Sequence, residues 1–398
     1  MPLLIFVYVA MLFYGSLFPF TGWTVPETPL CSFLFFWPSK LGLADIVQNV
    51  LVYAPLGLFV TFWLLGKLRF ISALMVATVA GTSLSFIIEN IQQFIPDRVA
   101  STSDVLMNLL GTLLGGLLSS FLTPETFTGS KLSKFWERWF RTGRLPNLGL
   151  IALFLWTLSQ TSPLVPSLDI AELRQGLSLL FHTLKTSGNI AIPALLTYVL
   201  YITGLGLLTL TLGSPGKSIF VPFLTLIVFV LSAKVLVEGR QLSAEALIGA
   251  VISVILLYFF KGAGCRLVAI SILGIISISA GFILSELTSI TGQGTHLFNW
   301  IPFSGQMSSL SGFQNILELY WPLFAIAYLA IYVTPIHKRD LAEILGGVAV
   351  ALTLFILEWF QQYLEGRYGD ITQVLIALAG WITPWRLVSS KKGFMKLP

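Results

Sequence analysis

Apolar runs close to the length of a membrane span recur along the whole chain, separated by short polar connections. An α-helix needs roughly 20 mainly apolar residues to cross the hydrocarbon core of a bilayer. Windows of that size predict helices at 2–19, 45–65, 70–94 and 104–122, then at 148–161, 189–211, 218–237 and 243–260, and finally at 266–287, 315–334, 340–364 and 370–388. The fold expected is therefore all-α, a polytopic transmembrane bundle of about 12 spans. The fifth window is the shortest. Two further segments have a different pattern, apolar on one face and charged on the other. One is KLSKFWERWFR, Lys131–Arg141, and the other is SLDIAELRQGLSLLFHTL, starting at Ser167. Helices of this kind lie in the headgroup plane rather than crossing it.

Composition removes the soluble alternative. Charged residues make up 10% of the chain and hydrophobic residues 56%, with a mean hydropathy of +0.86. A soluble domain carries about 25% charged residues. The net charge of +5 is accordingly no signal for nucleic acid; what matters is where the basic residues fall. With the N-terminus inside, sixteen of the 23 Lys and Arg lie in inner connections, six in outer ones, and Lys234 within a span. Cytoplasmic loops accumulate such residues, so both termini are expected in the cytoplasm of a cytoplasmic-membrane protein. Met1 and Pro2 carry no basic leader region of a cleavable signal.

Little in the sequence suggests a cofactor. His182, His296 and His337 are far apart and no metal-ligand spacing occurs, so neither a metal nor another cofactor is expected. The same topology places Cys31 outside and Cys265 inside, which excludes a disulfide between them.

Internal repetition adds organisation. FIIENIQQFIPDRVASTSDVLMNLLGTLLGG, from the third and fourth predicted helices, aligns without a gap with FILEWFQQYLEGRYGDITQVLIALAGWITPW from the last two. Glu89 matches Glu358, Gln92 matches Gln361, Gln93 matches Gln362, Arg98 matches Arg367 and Gly111 matches Gly380. Asp104 is replaced by Gln373 and Asn108 by Ala377. Upstream, Asn49 to Pro55 is echoed, with one extra residue, by Asn315 to Pro322. A fainter copy lies between, through Asn189, Pro193, Arg240 and Glu245, with Leu231 at the Glu89 offset. Repeats of this sort govern whole folds. The organisation expected is three four-helix units at 1–122, 148–262 and 266–388, a basic amphipathic linker at 123–147 and a basic tail at 389–398.

The first unit resembles the VanZ-like family. The resemblance rests on YGSLFPF at Tyr14–Phe20, on Asp45 and Asn49, on Pro55-Leu-Gly57, and then on Glu89–Gln93, Pro96-x-Arg98, Ser103-Asp104, Asn108 and Gly111. The third unit is similar through Asn299–Phe303, Glu358–Gln362, Arg367, Asp370 and Gly380. The founding member of the family is associated with low-level resistance to teicoplanin, a glycopeptide that binds cell-wall precursors outside the membrane. The resemblance implies a location and a theme, the cell envelope and its exposed precursors or antibiotic resistance, rather than a reaction.

The motif residues themselves form a pattern. Glu89, Gln92 and Gln93 share one helix face, and Asp104, Asn108 and Gly111 share another. Both faces fall near the outer helix ends, joined by a loop carrying Arg98. This predicts a polar notch opening outward, with Glu89 and Asp104 flanking Arg98. In one reading the notch receives an anionic headgroup such as a lipid-linked phosphate, contacted by Arg98, while Glu89 or Asp104 transfers protons. Gln92, Gln93, Asn108, Asp45 and Asn49 then complete the binding set. In the other reading the same residues are a helix-pairing network, with Gly111 and Gly115-Gly116 permitting close approach. Lys234 is expected to reach outward or to pair with Glu238 or Glu245. Trp23, Trp37 and Trp300 read as interfacial anchors. Membrane lipids, and a lipid-linked envelope precursor, are the partners expected, with no nucleic acid and no particular protein partner indicated. Three classes of function stay open: an envelope protein of the VanZ-like kind, a transporter, and a scaffold or accessory subunit.

Overall fold

The computed structural model describes residues 2–17, 22–26, 29–35, 43–96, 98–123, 126–162, 170–185, 190–214, 217, 219–237, 239–260, 267–287, 297–302, 311–363 and 369–389. Fourteen α-helices run through them: α1 (Pro2–Leu17), α2 (Leu43–Leu64), α3 (Phe70–Gln92), α4 (Thr102–Leu122), α5 (Phe127–Trp139), α6 (Arg144–Thr161), α7 (Ile170–Lys185), α8 (Ile192–Leu212), α9 (Phe220–Leu236), α10 (Ala244–Phe260), α11 (Leu267–Leu287), α12 (Ser311–Val333), α13 (Arg339–Gln361) and α14 (Ile371–Ser389). No strand forms among the described residues, apart from two isolated bridges. Twelve of the helices fall on the twelve predicted apolar windows, and α5 and α7 fall on the two amphipathic segments. Eight are long and apolar enough to cross a membrane, and three apolar stretches, at Tyr8–Leu17, Phe220–Leu236 and Ala244–Phe259, are shorter. The protein is an integral membrane protein.

The fifth window proves longer than predicted, because α6 begins at Arg144 rather than 148. Its first turn is Arg144, Leu145, Pro146 and Asn147, too polar to register as apolar. Pro146 is tolerated there because the first helical amides have no intrahelical acceptor. The basic segment also shifts: α5 starts at Phe127 and stops at Trp139, and Phe140 pairs with Gly213 as an isolated bridge. Arg141 donates from its backbone to Leu212 O and from Nε to Gly213 O, each at 2.8 Å. It thus brings a cation to the carbonyl end of α8.

Packing divides the chain into two compact units, one built on Met1–Trp136 and the other on most of the residues from Glu137 onward. The first unit is held by α2, α3 and α4. A Cβ placed on Gly111 or Gly115 of α4 would overlap the carbonyls of Val50 or Ala54, and one on Gly57 of α2 would overlap Thr112 O. Backbone therefore meets backbone between α2 and α4, the close approach that small residues permit inside membranes.

The second unit has a larger core. Leu205, Leu208 and Leu212 of α8, Ile278 of α11, and Trp321, Phe324, Tyr328 and Leu329 of α12 are almost wholly enclosed. Tyr328 shares a hydrogen bond with Thr211 at 2.7 Å, which gives its buried hydroxyl a partner.

Lys234 corrects the sequence reading. It is 5% exposed and does not reach outward. Its ammonium donates to Tyr198 Oη at 3.3 Å and lies 5.1 Å from the centre of the same ring, while Glu245 accepts Ala191 N. The aromatic ring supplies a cation–π partner that charge counting along the sequence does not reveal. Glu238 lies outside the described residues.

Arg240 closes the last turn of α6, donating from Nε to Ser162 O at 2.7 Å and from Nη2 to Ser159 O at 2.6 Å. Burial pulls its pKa below the usual arginine value, partly offset by the Glu318 carboxylate. Arg240→Ala strips two carbonyls of a charged donor and is expected to cost about 1–3 kcal/mol. Thermal unfolding of the purified protein measures this; an unchanged midpoint would show that the clamp contributes nothing.

Candidate functional site

The connection between α3 and α4 is short and well tied. Pro96 disfavours helical geometry at Ile95, and Ile95 is buried while its amide donates back to Gln92 O. Arg98 N continues the turn onto Ile95 O at 3.0 Å. Ser101 is extended (φ −139°, ψ 133°) and caps α4 by accepting Ser103 N. The amide of Ser101 itself is satisfied by Glu89, whose Oε2 accepts Ser101 N at 2.8 Å. An N-cap of this kind normally draws its acceptor from the third residue of the same helix. Here the carboxylate comes from the end of the preceding helix, and locks the α3–α4 turn.

Around this lock the three helices each place two polar residues one turn apart. Asn49 and Tyr53 come from α2, Glu89 and Ser85 from α3, and Asp104 and Asn108 from α4. Spacing of four residues puts each pair on one face, so the six form two stacked layers about 5.4 Å apart. In the outer layer Asn49 Nδ2 donates to Asp104 Oδ1 at 3.0 Å, and Glu89 and Asp104 interact through their charges. In the inner layer Asn108 Nδ2 donates to Ser85 Oγ at 2.9 Å, and Tyr53 faces Ser85 and Glu89. Glu89 is 4% exposed and Asn108 5%. Asn108 Oδ1 is enclosed and accepts nothing.

The next step inward on each helix is Gly57, Gly81 and Thr112. There is no room for a further side chain at either glycine, because Thr112 fills both positions. The two polar layers thus form a seat with a closed floor.

The other candidates are placed around it. Gln92 Nε2 donates to Ser16 O of α1 at 2.9 Å. Gln93 Nε2 donates to Asn90 Oδ1 at 3.3 Å, and its own enclosed Oε1 has no donor. Cys31, a free thiol, also donates to Asn90 Oδ1. Arg98 departs from the expected arrangement. It is exposed, its Nη2 lies 3.4 Å from Gly15 O, and among the described residues it makes no ion pair with Glu89 or Asp104. The acids instead serve Ser101 N and Asn49, so the guanidinium is left at the rim. The side chain of Asp45 lies outside the described residues, as do Trp37, Arg367 and Cys265. Ser85 and Tyr53 were missed by the sequence reading, although each stands four residues from a named candidate. Among the described residues no group of three or more His, Cys, Asp or Glu is arranged to hold a metal.

The last two helices repeat the lock and not the seat. Glu358 Oε2 accepts Asp370 N at 3.0 Å, the same contact across the same twelve residues. Asp370 Oδ1 accepts Thr372 N at 2.8 Å, as Ser101 accepts Ser103 N. Gln361 Nε2 adds a bond to Glu358 Oε1 at 3.0 Å. The inner layer, however, is apolar. Leu354 stands at the offset of Ser85 and Ala377 at that of Asn108, and both belong to one hydrophobic cluster with Leu319, Leu323 and Val374.

No curated protein and no solved structure matches the chain. Residues 3–123 do match the model of the VanZ/LLP1 family, and the N-terminal unit that carries the seat is VanZ-like.

Proposed function

We propose that this is an envelope membrane protein whose N-terminal unit holds, at the extracytoplasmic face, the headgroup of a surface lipid or lipid-linked cell-wall precursor and so alters its exposure to glycopeptides. The observation that carries the reading is the contrast between the two lock-bearing helix pairs. Both keep the carboxylate that caps the following helix, so that contact belongs to the architecture. Only the first keeps polar groups below it, and intramembrane polar groups are retained at a cost. Supporting an outward direction is the distribution of Lys and Arg along the sequence, with the α3–α4 turn on the side away from most basic connections in the predicted topology. The closed floor beneath Ser85 and Asn108 favours binding over passage through this unit.

A second reading, a helix-pairing network, is favoured by the recurrence of the lock at Glu358. Growth inhibition by a glycopeptide, in a sensitive Gram-positive host with membrane levels matched, separates the two. Wild type is expected to protect, and Arg98→Ala and Asn108→Ala to lose that protection while accumulating normally. Equal protection by the variants would leave only the network. Absence of protection by wild type would remove the glycopeptide theme.

A further inference from the structure

Among the described residues, Lys234 is a buried charge without a carboxylate. It stands two residues before the end of α9 and is 5% exposed. A cation held away from water needs a partner, and an ionisable group within a membrane helix points to function. Elsewhere in the second unit that need is met directly: Arg386 Nε lies 2.7 Å from Glu343 Oε1. Lys234 makes no ion pair among the described residues. Its ammonium has three N–H donors, and its hydrogen bond there runs to Tyr198 Oη at 3.3 Å.

The groups around that hydroxyl are donors. Tyr198 accepts from Lys234, so its own O–H hydrogen remains to be given, and among the described residues nothing takes it. Arg240 lies within electrostatic range of the same hydroxyl. It is fixed by Ser162 O on Nε and by Ser159 O on Nη2, and its third nitrogen, Nη1, has no acceptor among the described residues. Both cations therefore act on one phenol of α8. Glu245 is engaged by Ala191 N at 3.2 Å. Glu318, whose charge reaches Arg240, is exposed and accepts Gln314 Nε2 at 2.6 Å. The sequence offset that relates this segment to α3 shows where the change of sign arises. Leu231 stands where α3 has Glu89, and Lys234 where it has Gln92. A carboxylate has gone and an ammonium has arrived.

We propose that Lys234, Tyr198 and Arg240 form a phosphate site at the end of α9, taking the phosphate of a lipid headgroup or the free ion. Three donors from separate elements, two of them cationic, match an oxyanion. Depth favours phosphate over carboxylate. Lys234 lies about 3 Å of helix rise from the end of α9, at the edge of the hydrocarbon core where headgroups begin. The site does not depend on the headgroup reading of the N-terminal unit, and its test uses different residues.

The test uses the full-length protein purified in mild detergent, with lipid retention read by native mass spectrometry. Phosphatidylglycerol and a diacylglycerol of the same chains are titrated in parallel, and inorganic phosphate is added as competitor. Wild type is expected to retain phosphatidylglycerol about tenfold better than diacylglycerol, or more, the scale of one charge-assisted hydrogen bond. Lys234→Met, which keeps an unbranched side chain without its charge, should lose that preference. Tyr198→Phe keeps the ring, whose centre lies 5.1 Å from the ammonium, and removes only the hydroxyl. It should weaken retention with little change in the thermal unfolding midpoint. Arg98→Gln controls for lipid bound by the N-terminal unit and should leave the part that depends on Lys234 intact. Displacement by inorganic phosphate would show that the anion suffices, and resistance to it would assign the site to the lipid; either supports the phosphate site. Unchanged retention in Lys234→Met and Tyr198→Phe would overturn it, and loss in Arg98→Gln alone would then place lipid binding in the N-terminal unit. A midpoint lowered equally by Lys234→Met and Glu238→Gln, with retention unchanged in both, would put the counter-charge in the chain itself and also overturn the proposal. If Lys234→Met does not fold, Tyr198→Phe decides. If wild type shows no preference for phosphatidylglycerol, the phosphate site falls.

Discussion

Gly115→Val is expected to prevent assembly of the first unit, while Gly15→Ala leaves it intact. The contrast lies in what a side chain would meet. At Gly115 the first added carbon already overlaps the carbonyl of Ala54, and at Gly15 nothing stands within 4 Å. Carbonyls on a packed helix do not rotate away as side chains do, so relief requires α2 and α4 to separate along their length. Separation would undo the neighbouring contacts of Gly111 with Val50 and of Gly57 with Thr112, and would pull Asn49 from Asp104. Overpacking in a core typically costs about 1–3 kcal/mol. A clash of backbone with backbone belongs at or above the upper end of that range. Yield of monodisperse protein and its thermal unfolding midpoint are the measurements. A Gly115→Val protein that unfolds within a degree or two of wild type would show that the α2–α4 seam is not close-packed in the folded protein.

Most of the helices were legible because the bilayer imposes its own length on them. A window of apolar residues is set by membrane thickness, so α2, α3, α4, α8, α12 and α13 fall close to where hydropathy places them. Boundaries failed where the ends of helices are polar. The first turn of α6, Arg144 to Asn147, reads as loop by hydropathy and is helical, with Pro146 falling where the helix's first amides have no intrahelical acceptor. The placement of the candidate residues was legible to the extent that it is periodic. Glu89 and Asp104 could be placed on facing helices from spacing, but Arg98 could not be placed, since a loop residue has no period. The expected ion pair gave way because the nearest backbone amides claim the carboxylate first: Glu89 reaches Ser101 N inside the turn, and Arg98 is left facing out. The same holds for Lys234, whose partner Tyr198 is 36 residues away and contributes a ring and a hydroxyl rather than a charge. What spacing did supply, and the sequence reading did not use, is the second layer. Tyr53 and Ser85 each stand four residues from a recognised position, and Asn108, already named, completes that layer.

Matched substitutions at Glu89 and Glu358 should separate architecture from binding, because the two carboxylates make the same backbone contact in different surroundings. Glu358 is 1% exposed and Asp370 2%. Removing the side chain in Glu358→Ala leaves Asp370 N and Gln361 Nε2 without their acceptor. Each buried orphan costs about 1–3 kcal/mol, so the substitution should destabilise the protein by about 2–6 kcal/mol before any cavity is counted. Glu89→Gln behaves differently. The amide oxygen of glutamine still accepts Ser101 N, so the lock closes and stability changes little. What disappears is a negative charge beside Asp104. Thermal unfolding and glycopeptide protection, measured on both variants at matched membrane levels, should therefore change in opposite order: Glu358→Ala loses stability and keeps protection per folded molecule, and Glu89→Gln keeps stability and loses protection. Loss of protection in a Glu358→Ala protein as stable as wild type would move the functional centre to α13 and α14. Full protection by Glu89→Gln would mean that the charge at this position is spent on the turn, and that the seat reads its headgroup through Asp104 and Arg98 alone. The two outcomes differ because a capping acceptor needs only a lone pair, and a site that reads a headgroup by charge needs the charge.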